Sequence, residues 1–94
     1  MDSTTYQLKE KVAAVQTALL AAHPTLPILL AEIHKTLKAD PAQVTLLEED
    51  EIGILVSGLE AQTKVEIMTT MTKEKAGKAL KKLSMDDIWH EFLQ

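Results

Sequence analysis

The residues able to act as ligands, acids or nucleophiles are few in this chain, and their spacing limits what each can do. Three histidines, His23, His34 and His90, are the strongest metal-ligand types present. Eleven positions, close to three helical turns, separate His23 from His34, but Pro24 and Pro27 break any helix that would put them on one face. His90 follows Asp86 and Asp87 at i−4 and i−3, a spacing with weak capacity for a metal ion. Two or three ligands without a companion cluster point to solvated and helix-capping residues, so no metal and no cofactor is expected.

The carboxylates Glu48, Glu49, Asp50 and Glu51 are consecutive, so on a helix they fan round different faces instead of forming an acid–base pair. Their place at a helix start, where the dipole favours negative charge, already accounts for them. Ser57 and Ser84 have no Gly-x-Ser-x-Gly setting, and glycines 53, 58 and 77 are too scattered for a phosphate loop. With no cysteine there is no thiolate chemistry and no disulfide framework. The expectation is a chain that is not an enzyme.

Two clusters have the chemistry to bind. Lys75, Lys78 and Lys82 fall at i, i+3 and i+7 with Lys81 beside them, a basic helix face that could lie along a phosphate backbone. All ten basic residues are lysines, so the bidentate fork that reads guanine or grips phosphate is missing, and the net charge of −4 further disfavours nucleic acid. The bland account of that face is a solvated one that complements the acidic run. At the other cluster, Ile88, Trp89, Phe92 and Leu93 place two of the three aromatics in the last six residues. So apolar an end must dock, either as a lid on its own bundle or as a partner-binding helix.

Charge is segregated along the chain. Residues 39–63 carry six acids and no lysine, whereas residues 64–83 carry six lysines against Glu66 and Glu74. The two blocks could fold onto each other or meet their opposites on another subunit.

The elements that must position these residues follow from periodicity. Ser3, Thr4 or Thr5 can cap a first helix to about Ala22, with Leu8, Val12, Val15, Leu19 and Ala22 as its apolar stripe. His23-Pro24 ends it, and Thr25 and Pro27 restart a second helix to about Leu37 along Leu26, Leu29, Leu30, Ile33 and Leu37. The short connector makes the two an antiparallel hairpin. Asp40-Pro41 starts a single turn to Val44. Thr45 to Glu48 has the form of a capping box for a third helix, with Ile52, Leu55, Val56 and Leu59 inward and an end near Thr63. Gly53 and Ser57 leave a groove there for another backbone.

Residues 64–72 read two ways. Lys64-Val65-Glu66-Ile67 alternates, and threonines at 69, 70 and 72 favour a strand, yet a lone hairpin with residues 52–57 is marginal in water. Residues 65–71 are therefore expected to be helical, with Val65, Met68 and Met71 inward. Thr72 caps a weak helix from Lys73 to Leu83, carrying Gly77, and Ser84 caps the last.

Ninety-four residues, 46% hydrophobic and 26% charged, make one folded domain over 1–94, with 84–94 as a docking or lid helix. The fold class expected is all-α, a compact bundle of four or five short helices. The stretch Leu19–Ile33 is interrupted by His23, Pro24, Pro27 and Glu32, so no membrane span is expected, and the opening Met1–Thr5 does not read as a secretory signal. Together these features favour a noncatalytic, intracellular and cytoplasmic interaction protein, self-associating or binding a protein partner through helical surfaces. The alternative is a nonspecific nucleic-acid accessory protein using the lysine face.

Overall fold

The computed structural model describes residues 3–94, with side chains from Gln7 onward. Every regular element among them is helical: α1 (Ser3–Ala21), α2 (Leu26–Ala39), a 3-10 helix (Pro41–Leu46), α3 (Glu49–Thr70), α4 (Lys73–Lys81) and α5 (Met85–Leu93). The all-α reading holds, with five α-helices and the 3-10 helix. The cap assigned to Ser3, Thr4 or Thr5 falls outside the described side chains.

A three-helix core carries the rest. Leu8, Val12 and Val15 of α1, Leu30, Ile33 and Leu37 of α2, Leu55 of α3 and Leu47 before it form one buried cluster. Lys9 of α1 meets Glu51, and Val15 meets Gly58, so α1 and α3 run in the same direction with the antiparallel α2 beside them. Gly58 is where the helices come closest. A Cβ there would stand 3.2 Å from the Val15 side chain and 3.5 Å from that of Leu30.

The end of α1 departs from the expected stripe. Ala22 is exposed with φ of 50°, and Ala18 takes its place in the core. The Ala22 N–H donates to Leu19 O at 3.3 Å and the His23 N–H to Ala18 O at 2.9 Å, the paired bonds of a left-handed helix stop. Alanine is costly in that conformation and glycine is not. Ala22→Gly should therefore raise the unfolding free energy by about 0.5–1 kcal/mol, read by urea melts at constant m-value. An unchanged midpoint would mean that the turn is not strained.

Two further caps differ from expectation. Thr25 makes no side-chain cap to α2; its hydroxyl lies 2.9 Å from His23 Nδ1, which also accepts the Thr25 N–H at 3.2 Å. Thr45 sits inside the 3-10 helix, donating to Ala42 O at 2.7 Å, and the capping-box glutamate is Glu51, not Glu48. The register moved by three because the 3-10 helix runs on to Leu46 instead of ending at Val44.

α3 is a single helix of 22 residues, about 33 Å long, because the expected break near Thr63 does not occur. The threonines that argued for a strand are satisfied within it. Thr63, Thr69 and Thr70 donate to the carbonyls of Leu59, Val65 and Glu66, which removes the competition hydroxyls offer to helical bonding. Thr72 caps α4 by accepting from the Lys75 N–H, and Ser84 caps α5 by accepting from the Asp87 N–H, both at 3.4 Å.

Candidate functional site

The acidic run opens α3, where Glu49, Asp50 and Glu51 occupy the first turn. Glu51 Oε1 accepts both the Glu48 N–H and Lys9 Nζ, each at 2.9 Å. Partial burial works to raise the Glu51 pKa, but the Glu48 N–H and the Lys9 ammonium outweigh it and hold the carboxyl below its ordinary range. On Lys9 the hydrogen bond that its ammonium donates to Glu51 raises the ammonium pKa against a smaller desolvation effect. The depressed carboxyl contributes stability above its unfolded pKa of about 4.3, and that contribution is lost as pH falls through the lower folded value. Glutamine keeps the acceptor of the capping box and removes only the charge. The stability gap between wild type and Glu51→Gln should hold from pH 6 to 8 and shrink below about pH 4 in pH-resolved denaturant melts. A gap that does not vary with pH would contradict the pair.

The acidic and basic blocks pair where they adjoin, through Lys64 and Glu60 one turn apart on α3, but the run Glu48–Asp50 does not meet the lysines of α4: α4 begins at the far end of α3, and the other ion pair among the described residues is Lys9–Glu51. Lys75, Lys78, Lys81 and Lys82 are all exposed. The lysines of α4 instead share the far end of α3 with Glu66, Asp87 and Glu91.

At the C-terminus, Trp89 and Phe92 pack against the core cluster. Their rings stack with centroids 5.8 Å apart, and Phe92 lies 5.2 Å from the ring of His34 on α2. α5 therefore occupies the lid position. Ile88 is half-buried and Leu93 exposed at its edge, and docking these four residues on a partner would require α5 to leave the bundle. Beside it an open groove of about 680 Å3 runs between α2, α3 and the last two helices, lined among others by His34, Glu66, Lys82 and Asp87. His34 is taken up by Phe92, His23 by Thr25, and His90 by Gln94 at 3.2 Å. Among the described residues no three His, Asp or Glu side chains group closely enough to hold a metal ion.

The surface that sequence reading missed is the outward face of α3. Val65, Met68 and Met71, expected inward, are 62%, 67% and 44% exposed. The reason is geometric: Met68 of an unbroken helix falls opposite the inward side fixed by Leu55 and Val56, and Val65, one heptad past Gly58, lies beyond the end of α1 at Ala21, where no α1 residue remains to cover it. Ser57, Val65 and Met68 are exposed along α3, whereas Ile54 is half-buried against the core and Ala61 is half-buried. Near the start of α3 lies a shallow groove against α1, lined by Gln16, Leu19, Leu20, Gly53, Ile54 and Ser57. The expected groove at Gly53 and Ser57 is thus present but open, and the close approach occurs at Gly58 instead.

Comparison with family models, with characterised proteins and with solved structures finds no match to this chain. Among the described residues no helix is long and apolar enough to cross a membrane.

Proposed function

We propose that this chain is a small noncatalytic protein-interaction module of the accessory, adaptor or inhibitor type, working through the outward face of α3. The observation that supports it is the exposure of two large apolar side chains, Val65 and Met68, in the second half of α3. Each large apolar side chain left in water forgoes roughly 1.5–3 kcal/mol that burial against a partner would recover. Methionine also adapts its shape to the surface it meets.

The test is the double substitution Val65→Glu with Met68→Glu. Both positions are solvent-exposed, so helicity and melting temperature should change little, while partner retained in quantitative affinity capture from source cells falls about tenfold or more. Undiminished capture by the double variant would remove α3 from the account. Retention of nucleic acid through the exposed lysines of α4 is the alternative, and it requires a gel shift at low salt that disappears steeply as salt rises.

A further inference from the structure

We propose that Met68, Met71 and Met85 are oxidative modification sites, which a hydroperoxide converts to sulfoxides while the fold stands, and that at Met68 this withdraws apolar surface from α3. Methionine is among the residue types most often fully buried. Here all three methionines with described side chains are exposed, Met68 at 67%, Met85 at 47% and Met71 at 44%. The buried cluster of the core and the side chains packed against it contain no sulfur. With no cysteine in the chain, a hydroperoxide meets thioethers and no thiol.

The sulfur lone pair attacks the distal peroxide oxygen, and an S–O bond forms as the O–O bond breaks. The proton of the distal oxygen passes to the departing one, which leaves as water or an alcohol; sulfur gives up two electrons and the peroxide accepts them. Susceptibility follows exposure, so Met68 leads. Met68 lies in the last turn of α3, Met71 is its C-cap and Met85 opens α5, so the added dipoles fall at helix ends and in water. A sulfoxide replaces a flexible apolar group with a polar one, which an apolar partner surface does not accept without cost. That consequence for binding rests on the reading of α3 as an interaction surface; the modification itself does not.

The test treats the full-length protein with dilute hydrogen peroxide and follows each methionine by peptide mass mapping. Met68 should gain its oxygen first, and all three should react within about threefold of their rates in the chain unfolded by guanidinium chloride, since unfolding adds little access to a thioether already in water. The oxidised protein should keep its cooperative urea transition with little change in midpoint. Methionine sulfoxide reductases should then remove the added oxygens. Partner capture by the oxidised protein should fall about tenfold, whereas Met68→Leu, which keeps the apolar volume without the sulfur, should capture equally well before and after peroxide.

Protection of Met68 by about tenfold or more in the folded chain overturns the inference. So does loss of the cooperative transition on oxidation, which would place the thioethers in the packing. If Met68 oxidises fully while capture holds, and Val65→Glu with Met68→Glu abolishes that capture, the face keeps its role and the consequence for binding is overturned. If unoxidised wild type captures nothing, the reading of α3 falls, and the peptide rates and the melt decide the modification by themselves.

Discussion

Replacing Leu55 with alanine is expected to lower the unfolding free energy by about 2–5 kcal/mol. Leu55 is wholly buried on α3, in one cluster with residues of both α1 and α2. Truncation removes the transfer free energy of three carbons and leaves a void that helices held by this many neighbours cannot close. A domain of this length has roughly 5–14 kcal/mol in total, so the loss is a large share of it. Urea melts followed by circular dichroism should show a markedly lower midpoint with an unchanged slope. A loss below about 1 kcal/mol would mean that the three helices do not converge on this residue.

Gly58→Val should also destabilise the fold, for the opposite reason. A first added carbon already stands 3.2 Å from Val15 and 3.5 Å from Leu30, and valine adds two further methyl groups to a space occupied on both sides. Overpacking of this kind costs about 1–3 kcal/mol, and here it wedges α3 away from both α1 and α2. Gly77→Ala is the control with the opposite sign. Nothing lies within 4 Å of a Cβ at Gly77, so alanine should stabilise α4 by about 0.5–1 kcal/mol through helix propensity alone. If Gly58→Val proved as benign as Gly77→Ala, the close approach of the three helices would be wrong.

The contrast between these glycines shows where sequence reading stops. Gly53 and Ser57 attract attention because small residues four apart mark a possible contact, yet which small residue faces a neighbour depends on how the helix is rotated. That rotation is set by long-range packing of Leu55 against α1 and α2, which no local pattern around residue 53 encodes. The apolar stripes of α1 and α2 were legible because each has a single covered side and a clear period. Threonine caps before α4 and serine before α5 were legible because capping is local. The start of α3 was not, since Thr45 and Glu51 both satisfy local rules and the choice between them turns on how far the 3-10 helix extends.

The same limit hid the candidate site. Val65 and Met68 look like core residues by type, and a helix ending near Thr63 would have left the next segment free to turn them inward. One continuous helix removes that freedom. Met68 is then carried to the side away from Leu55, Val65 is carried past the end of α1 at Ala21, and the apolar surface that results is a consequence of helix length. The aromatic pair at the C-terminus, the more conspicuous apolar feature in the sequence, is already engaged with His34 and the core.

The central claim, that the outward face of α3 meets a protein partner, is tested most directly by a photo-crosslinking residue placed at Met68 in cells producing the chain, with the exposed Ala42 of the 3-10 helix as the control position. The account predicts discrete protein adducts at 68 and little or none at 42. Equal, diffuse labelling at both positions would contradict it.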